Sequence, residues 1–467
     1  NTTITLRSGG SPVTSTIATP TNGAAPKLSF STATVTVKPN NYLGLWGLRY
    51  GNNNTFDWIP TATDPNWIRS AAVIPPDKTF TVLKGIVDYY FLTFYPGRSE
   101  HNLGLSLDPG SGNLTKISYG DAVTSDVVSF SGTPATTLTF NTQAVPVTTN
   151  GWWGQHGIQY GGSFLNYYNG GPLNGGWSWL PNALGSAGWM QTANAAANNW
   201  YLLRGMKSYY LHAFYPLAST HYRVLDLAAD GTFSFPNDGD AIDTVSPYTS
   251  ADASGIVLRT AAVTFNYNTW RGSWELRYGN DSTGWTTLMD DQFVAGMDRA
   301  RNRTFTVLGG IKNYYYLRFW PGLQYFLNLH WDPTTARFGY YQPGSGIDAS
   351  SEAVNLSTNN QVTFNTRQVQ VAFSPAGSLG TTWQVKYGEG PLAGNLGEQE
   401  DTINTISYTS DSITSRDWKL LYGMRNYYWV QLSSQAQGSG FGTNAAGAPT
   451  VGSVSVAGKT FTLAPNP

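Results

Sequence analysis

The side chains in this sequence best suited to chemistry are rings set among small polar residues. Trp58 and Trp67, then Trp177, Trp179 and Trp189, then Trp285 fall in stretches rich in Asn, Gly, Asp and Thr that read as loops. A flat ring face can stack on the apolar C–H face of a pyranose, while neighbouring amides and carboxylates take its hydroxyls. Residues 166–182, NYYNGGPLNGGWSWLPN, concentrate both kinds of group in Asn166, Tyr167, Tyr168, Asn174, Trp177 and Trp179. These positions are the expected ligand-binding residues; the competing reading is an ordered surface loop capped by its own aromatics. The corresponding stretch later in the chain has Glu389, Glu398, Glu400 and Asp401 but no Trp, so a site built on loop rings should be weak there.

Metal and catalytic chemistry have less to work with. Asp238, Asp240 and Asp243 in DGDAID are dense enough to suggest calcium, but an Asp in a Gly turn more often bonds its own backbone, and no EF-hand loop is complete. Five His are scattered, with His101 and His221 in equivalent places. The chain has no HExxH, GxSxG or Gly-rich phosphate loop, and no Cys for a thiolate or a disulfide. Repetition favours multivalent binding over the single constellation that catalysis needs. The expectation is a non-enzyme without a cofactor.

The elements that position these rings recur. A strand ending in Tyr-Gly appears as LWGLRYG to Gly51, QHGIQYG to Gly161, SWELRYG to Gly279 and TWQVKYG to Gly388, a period of about 110 residues. Each is followed by a double-tyrosine segment: Tyr89 and Tyr90, Tyr209 and Tyr210, Tyr314 and Tyr315, Tyr427 and Tyr428. Alternation along a strand puts the two rings of each pair on opposite faces, so one is expected in the core. Gly-Asp-Ala at Gly120 and Gly239, and the looser GIDA at Gly346, precede a strand written TLTFN, AVTFN or QVTFN, with KTFTL near Phe461 as the last match. β-Branched and aromatic residues bounded by Gly, Pro and Asn predict strands throughout, with short helices conceivable only in 189–200 and 290–302.

The expected fold is therefore all-β: four tandem β-sandwich-like repeats, with paired propeller blades as the alternative. An arm over 1–26 would precede repeats over 27–136, 137–260, 261–360 and 361–467. Its TITLRS strand could pair within the chain or join a neighbouring molecule.

Charged residues are only 12% and the formal net charge is -1, which removes electrostatic attraction to nucleic acid or anionic membrane. No apolar run is long enough for a transmembrane helix. Low charge, abundant polar residues and absent thiols favour an extracellular or cell-surface location, and a start at Asn1 without Met is compatible with a removed signal peptide or a trimmed chain. N-glycosylation acceptors stand at Asn1, Asn53, Asn113, Asn280, Asn302 and Asn355. The leading functional expectation is a multivalent lectin or adhesin binding glycans or glycoconjugates. The rivals are an extracellular filament or surface-layer subunit assembling through residues 1–26, and a pore-forming toxin.

Overall fold

The computed structural model describes residues 18–23, 25–52, 55–66, 68–69, 75–86, 88–162, 176–191, 198–215, 221–280, 284–287, 302–320, 324–348, 352–374, 383–388, 396–398, 415–432, 437–441, 453–456 and 459–465. These residues form 39 strands and two three-residue 3-10 turns, with no α-helix among them. The protein is all-β.

The strands assemble into small sheets that follow one another in pairs along the chain. In the first pair, a four-stranded sheet runs Val128–Ser131, Thr137–Phe140, Thr32–Lys38, Lys78–Leu83. Its partner runs Leu114–Tyr119, Asn102–Leu107, Tyr90–Phe94, Leu45–Asn52, Thr55–Trp58, with Ile68–Arg69 also on Leu45–Asn52. The same order recurs with Thr142–Thr148 and Gln155–Gly161, with Thr260–Asn266 and Trp274–Asn280, and with Thr366–Ser374 and Trp383–Gly388 in the corresponding central places. Residues 137–140 and 361–364, assigned from sequence to the heads of the second and fourth repeats, pair with the strands before them.

Alternation explains why the sheets bury one another. Val35, Val37, Phe80, Val82, Leu138 and Phe140 point inward from the first four-stranded sheet and meet Trp46, Leu48, Leu92 and Phe94 of its partner. Trp46 packs edge-on against Phe80 at 6.3 Å and Phe140 at 5.2 Å; Trp274 repeats this against Phe305 and Phe364. In the first three pairs the opening strand lies parallel to the closing strand of its sheet. In the fourth, Thr366–Ser374 pairs antiparallel with Lys459–Pro465, so the KTFTL match enters its sheet from the opposite end.

The repeated tyrosines and the Gly-Asp-Ala turns are what join consecutive pairs. At the first joint Tyr42 meets Tyr160 at 6.4 Å, its hydroxyl lies 3.1 Å from that of Tyr209, and His101 faces Tyr209 at 5.3 Å. The second joint uses Trp152, Tyr215 and His221 against Tyr278 and Tyr314. The third uses Trp270 and Tyr325 against Tyr387 and Tyr427. Lone backbone bridges link Val123 to Met206, Ile242 to Ile311 and Ile347 to Met424 at the same three places. Gly205 must be glycine there: its φ is +77°, and a Cβ would stand 2.3 Å from Thr124 Oγ1.

Candidate functional site

The two tyrosines of each repeated pair divide their work. The second one bonds the backbone seven residues back: Leu83 N–H donates to Tyr90 Oη at 2.6 Å, Leu203 N–H to Tyr210 at 2.8 Å, Leu421 N–H to Tyr428 at 2.7 Å, and Leu308 N–H to Tyr315. The first one serves the joint. Tyr209, Tyr314 and Tyr427 are sealed, and burial holds their hydroxyls well above the ordinary tyrosine range. Tyr89, which has the same ring spacing to Tyr50 (5.6 Å) as Tyr209 has to Tyr160 (5.9 Å), is only half-buried.

The tryptophans flagged from sequence behave differently. Trp58, Trp177 and Trp179 lie on the faces of the larger sheets that point away from the core, and for Trp58 and Trp179 the small residues beneath them are the reason. Trp58, in register with Arg49, lies over Gly47, where a Cβ would come within 2.5 Å of the indole. The Arg49 guanidinium sits 4.7 Å from the same ring, so that cation already occupies a stacking position. Trp179, in register with Gln159, likewise lies over Gly157, with 2.7 Å to a Cβ placed there. Trp189 stands 4.8 Å from Trp179, tilted against it, and meets Tyr215 edge-on at 5.3 Å. Trp177 packs on Leu211, Tyr222 and Val224, a small apolar cluster separate from the main core.

Trp58, Trp177, Trp179 and Trp189 are thus all half-buried: each seals the outside of a sheet with one part of its ring and leaves another part in solvent. Trp58, Trp177 and Trp179 lie in strands, not loops. Trp67, Asn166, Tyr167, Tyr168 and Asn174 lie outside the described residues, as do Glu389, Glu400 and Asp401. The backbone of Trp285 pairs with Gly279 in the third repetition of the same two-strand arrangement.

The three candidate calcium ligands take separate partners. Asp238 is held by Arg223 at 2.9 Å. Asp243 accepts from Thr244 N–H at 2.7 Å and meets His330 Nε2 at 2.8 Å across the second joint. Asp240 is exposed on the turn between them. Among the described residues no three His, Asp or Glu side chains gather as a metal-ligand group.

Sequence reasoning missed another set of rings. Phe30, Tyr119, Tyr340 and Tyr341 are exposed on strands, with Leu28 and Ile117 beside them. Tyr119 and Tyr341 stand just ahead of the GDA and GIDA turns, at sheet-edge strands, and that position was the available signal. A polar cleft of about 350 Å³ also opens at the first joint, lined by Asn40, Asp126, Asn141, Thr142, Arg204 and Ala229, but it contains no ring.

No protein-family model matches the chain, and no curated protein matches it.

Proposed function

We propose that this protein is a multivalent carbohydrate-binding protein, a lectin or adhesin acting outside the cell, built from four sandwich-like units in tandem. One observation carries the reading: Trp179 and Trp189 form a half-exposed aromatic pair, with Trp177 near by, on the outer face of the second unit. Rings that need only their inner edges to seal a sheet offer the remainder to a sugar face, and Asn, Asp and Gln around them are suited to its hydroxyls. Several weak sites in one chain bind a polymer or cell surface together more tightly than one does. The chemistry asked of the site is recognition, with no catalytic step and no resident cofactor.

A glycan array probed with the full chain tests it. The expected result is a set of hits that weakens at least about tenfold, a loss of about 1.4 kcal/mol, in Trp179→Ala and Trp189→Ala. An array without hits, from protein whose circular dichroism is native, ends the proposal.

A second reading has its own support. The strand Lys27–Phe30 is exposed along its whole length, presents Leu28 and Phe30, and among the described residues pairs only with Ala18–Thr21, in a two-stranded sheet of its own. Such an edge suits strand addition from a neighbouring copy and hence an extracellular filament. Negative-stain imaging separates the two: fibres that vanish in Leu28→Lys/Phe30→Glu favour the filament, whereas dispersed particles that retain glycan binding favour the lectin.

A further inference from the structure

The second sheet pair has two histidines where the other three carry apolar side chains. His156 stands four residues before Tyr160, the place taken elsewhere by buried Trp46, Trp274 and Trp383. His212 stands two residues after Tyr210, where the others have buried Leu92, Leu317 and Val430. Both imidazoles are fully buried. His156 Nδ1 lies 3.0 Å from His212 Nε2, and His212 Nδ1 lies 2.8 Å from the Tyr248 hydroxyl. His156 Nε2 has no hydrogen-bond partner among the described residues.

Among the described residues, the side chains packed around the pair are mostly apolar. From Asn198–Leu203, Trp200 meets His156 edge-on at 5.7 Å; within its own strand His212 touches Phe214 at 4.6 Å; Tyr248 stacks on it at 5.7 Å. Across the sheet His156 is in register with Met190. The facing sheet contributes Val145, Val147, Ile256 and Leu258, all buried. The charged side chain in register with His212 on the adjacent strand is Arg223; its guanidinium lies 5.4 Å from the Tyr248 ring and holds Asp238, so it brings a like charge to the pair. Neither imidazole takes a carboxylate partner among the described residues. A proton added here would therefore be an uncompensated buried charge.

We propose that the His156–His212 pair makes the second sheet pair an acid-opened element, whose strands separate as the imidazoles charge while the neighbouring pairs stay closed. This does not depend on what its outer face binds. Burial holds His156 down to about 4, and burial together with its neighbour His156 holds His212 well below the ordinary histidine value. An unfolded histidine takes its proton near pH 6.5, so the stabilisation is complete above that value and is lost as pH falls toward about 4. Each imidazole shifts the opening equilibrium by about tenfold per pH unit in this window, and two by about a hundredfold. Carboxylates that hydrogen bonds hold low, such as Asp108, Asp230 and Asp252, respond only at pH values below the window. His101, buried at the first joint and held down to about 4 by burial and Arg98, shares the window and needs a control.

Hydrogen exchange of the full chain, read by mass spectrometry between pH 7 and pH 5 and corrected for intrinsic rates, tests the proposal. Protection of Gln155–Gly161 and Tyr210–Phe214 should fall by up to about a hundredfold per pH unit, relative to Trp274–Asn280 and Tyr315–Phe319. The difference should survive in His101→Phe and disappear in His156→Trp/His212→Leu, which borrows the residues of the other pairs. An equal pH response in the two sets of strands overturns the proposal, as does a difference that persists in the double variant. Should the double variant not fold, imidazole resonances of the unaltered chain decide: titration of His156 or His212 near pH 6.5 in the folded protein is equally fatal.

Discussion

At the scale of single residues, the most informative contrast is within each double tyrosine. Tyr210 is a structural acceptor: its hydroxyl is the partner of the Leu203 N–H at the end of the adjacent strand. Tyr210→Phe keeps the ring and removes only that acceptor, so a buried N–H loses its bond. The expected cost is about 1–3 kcal/mol, measured as a lower urea midpoint with unchanged slope. Alternation along a strand foretells that the two rings of a pair separate, but not that both serve structure. The role of Tyr209 exists only because another sheet pair arrives against it, bringing Tyr42 and His101.

At the scale of the element, Gly-for-bulk exchange ties sheet to tryptophan. Gly157 leaves the space that Trp179 fills from the neighbouring strand, and Gly47 does so for Trp58. Gly157→Ala would place a methyl 2.7 Å from the Trp179 ring and 2.8 Å from the Gly188 carbonyl oxygen. One of these must move. The expected outcome is a loss of about 1–3 kcal/mol in thermal or urea unfolding, with a changed tryptophan emission from the displaced ring. Should the aromatic pair bind sugar, this variant also loses binding although it removes no ring. Strand content was legible where β-branched and aromatic residues alternate cleanly, in segments such as Lys78–Leu83 and Thr260–Asn266. The strand character of Trp177–Trp179 was not, since its flanks are Gly and Asn and only pairing with Gln159–Gly161 fixes it.

At the scale of the whole molecule, three joints are built from one set of contacts, and the first sheet pair carries the receiving half of that set. Tyr50 and Tyr89 keep the ring spacing of the joint pairs but are half-buried, whereas Tyr160 and Tyr209 are sealed. Truncation should expose the difference. Tyr209→Ala is expected to cost about 3–5 kcal/mol and Tyr89→Ala less than half of that, compared by calorimetry of the full chain. Equal losses would show that the joints contribute little to the stability of the chain.

The order of strand-forming segments, their recurrence, the absence of thiols and the low charge were all written in the residues, because each is a local or compositional property. Partnership was not. Whether Trp179 seals a sheet or stands in solvent, whether Asp243 serves a turn or a histidine of the next sheet, and whether His156 charges at neutral pH all depend on groups far away in the chain. Burial is a property of the packed surroundings, and only the assembled sheets create it.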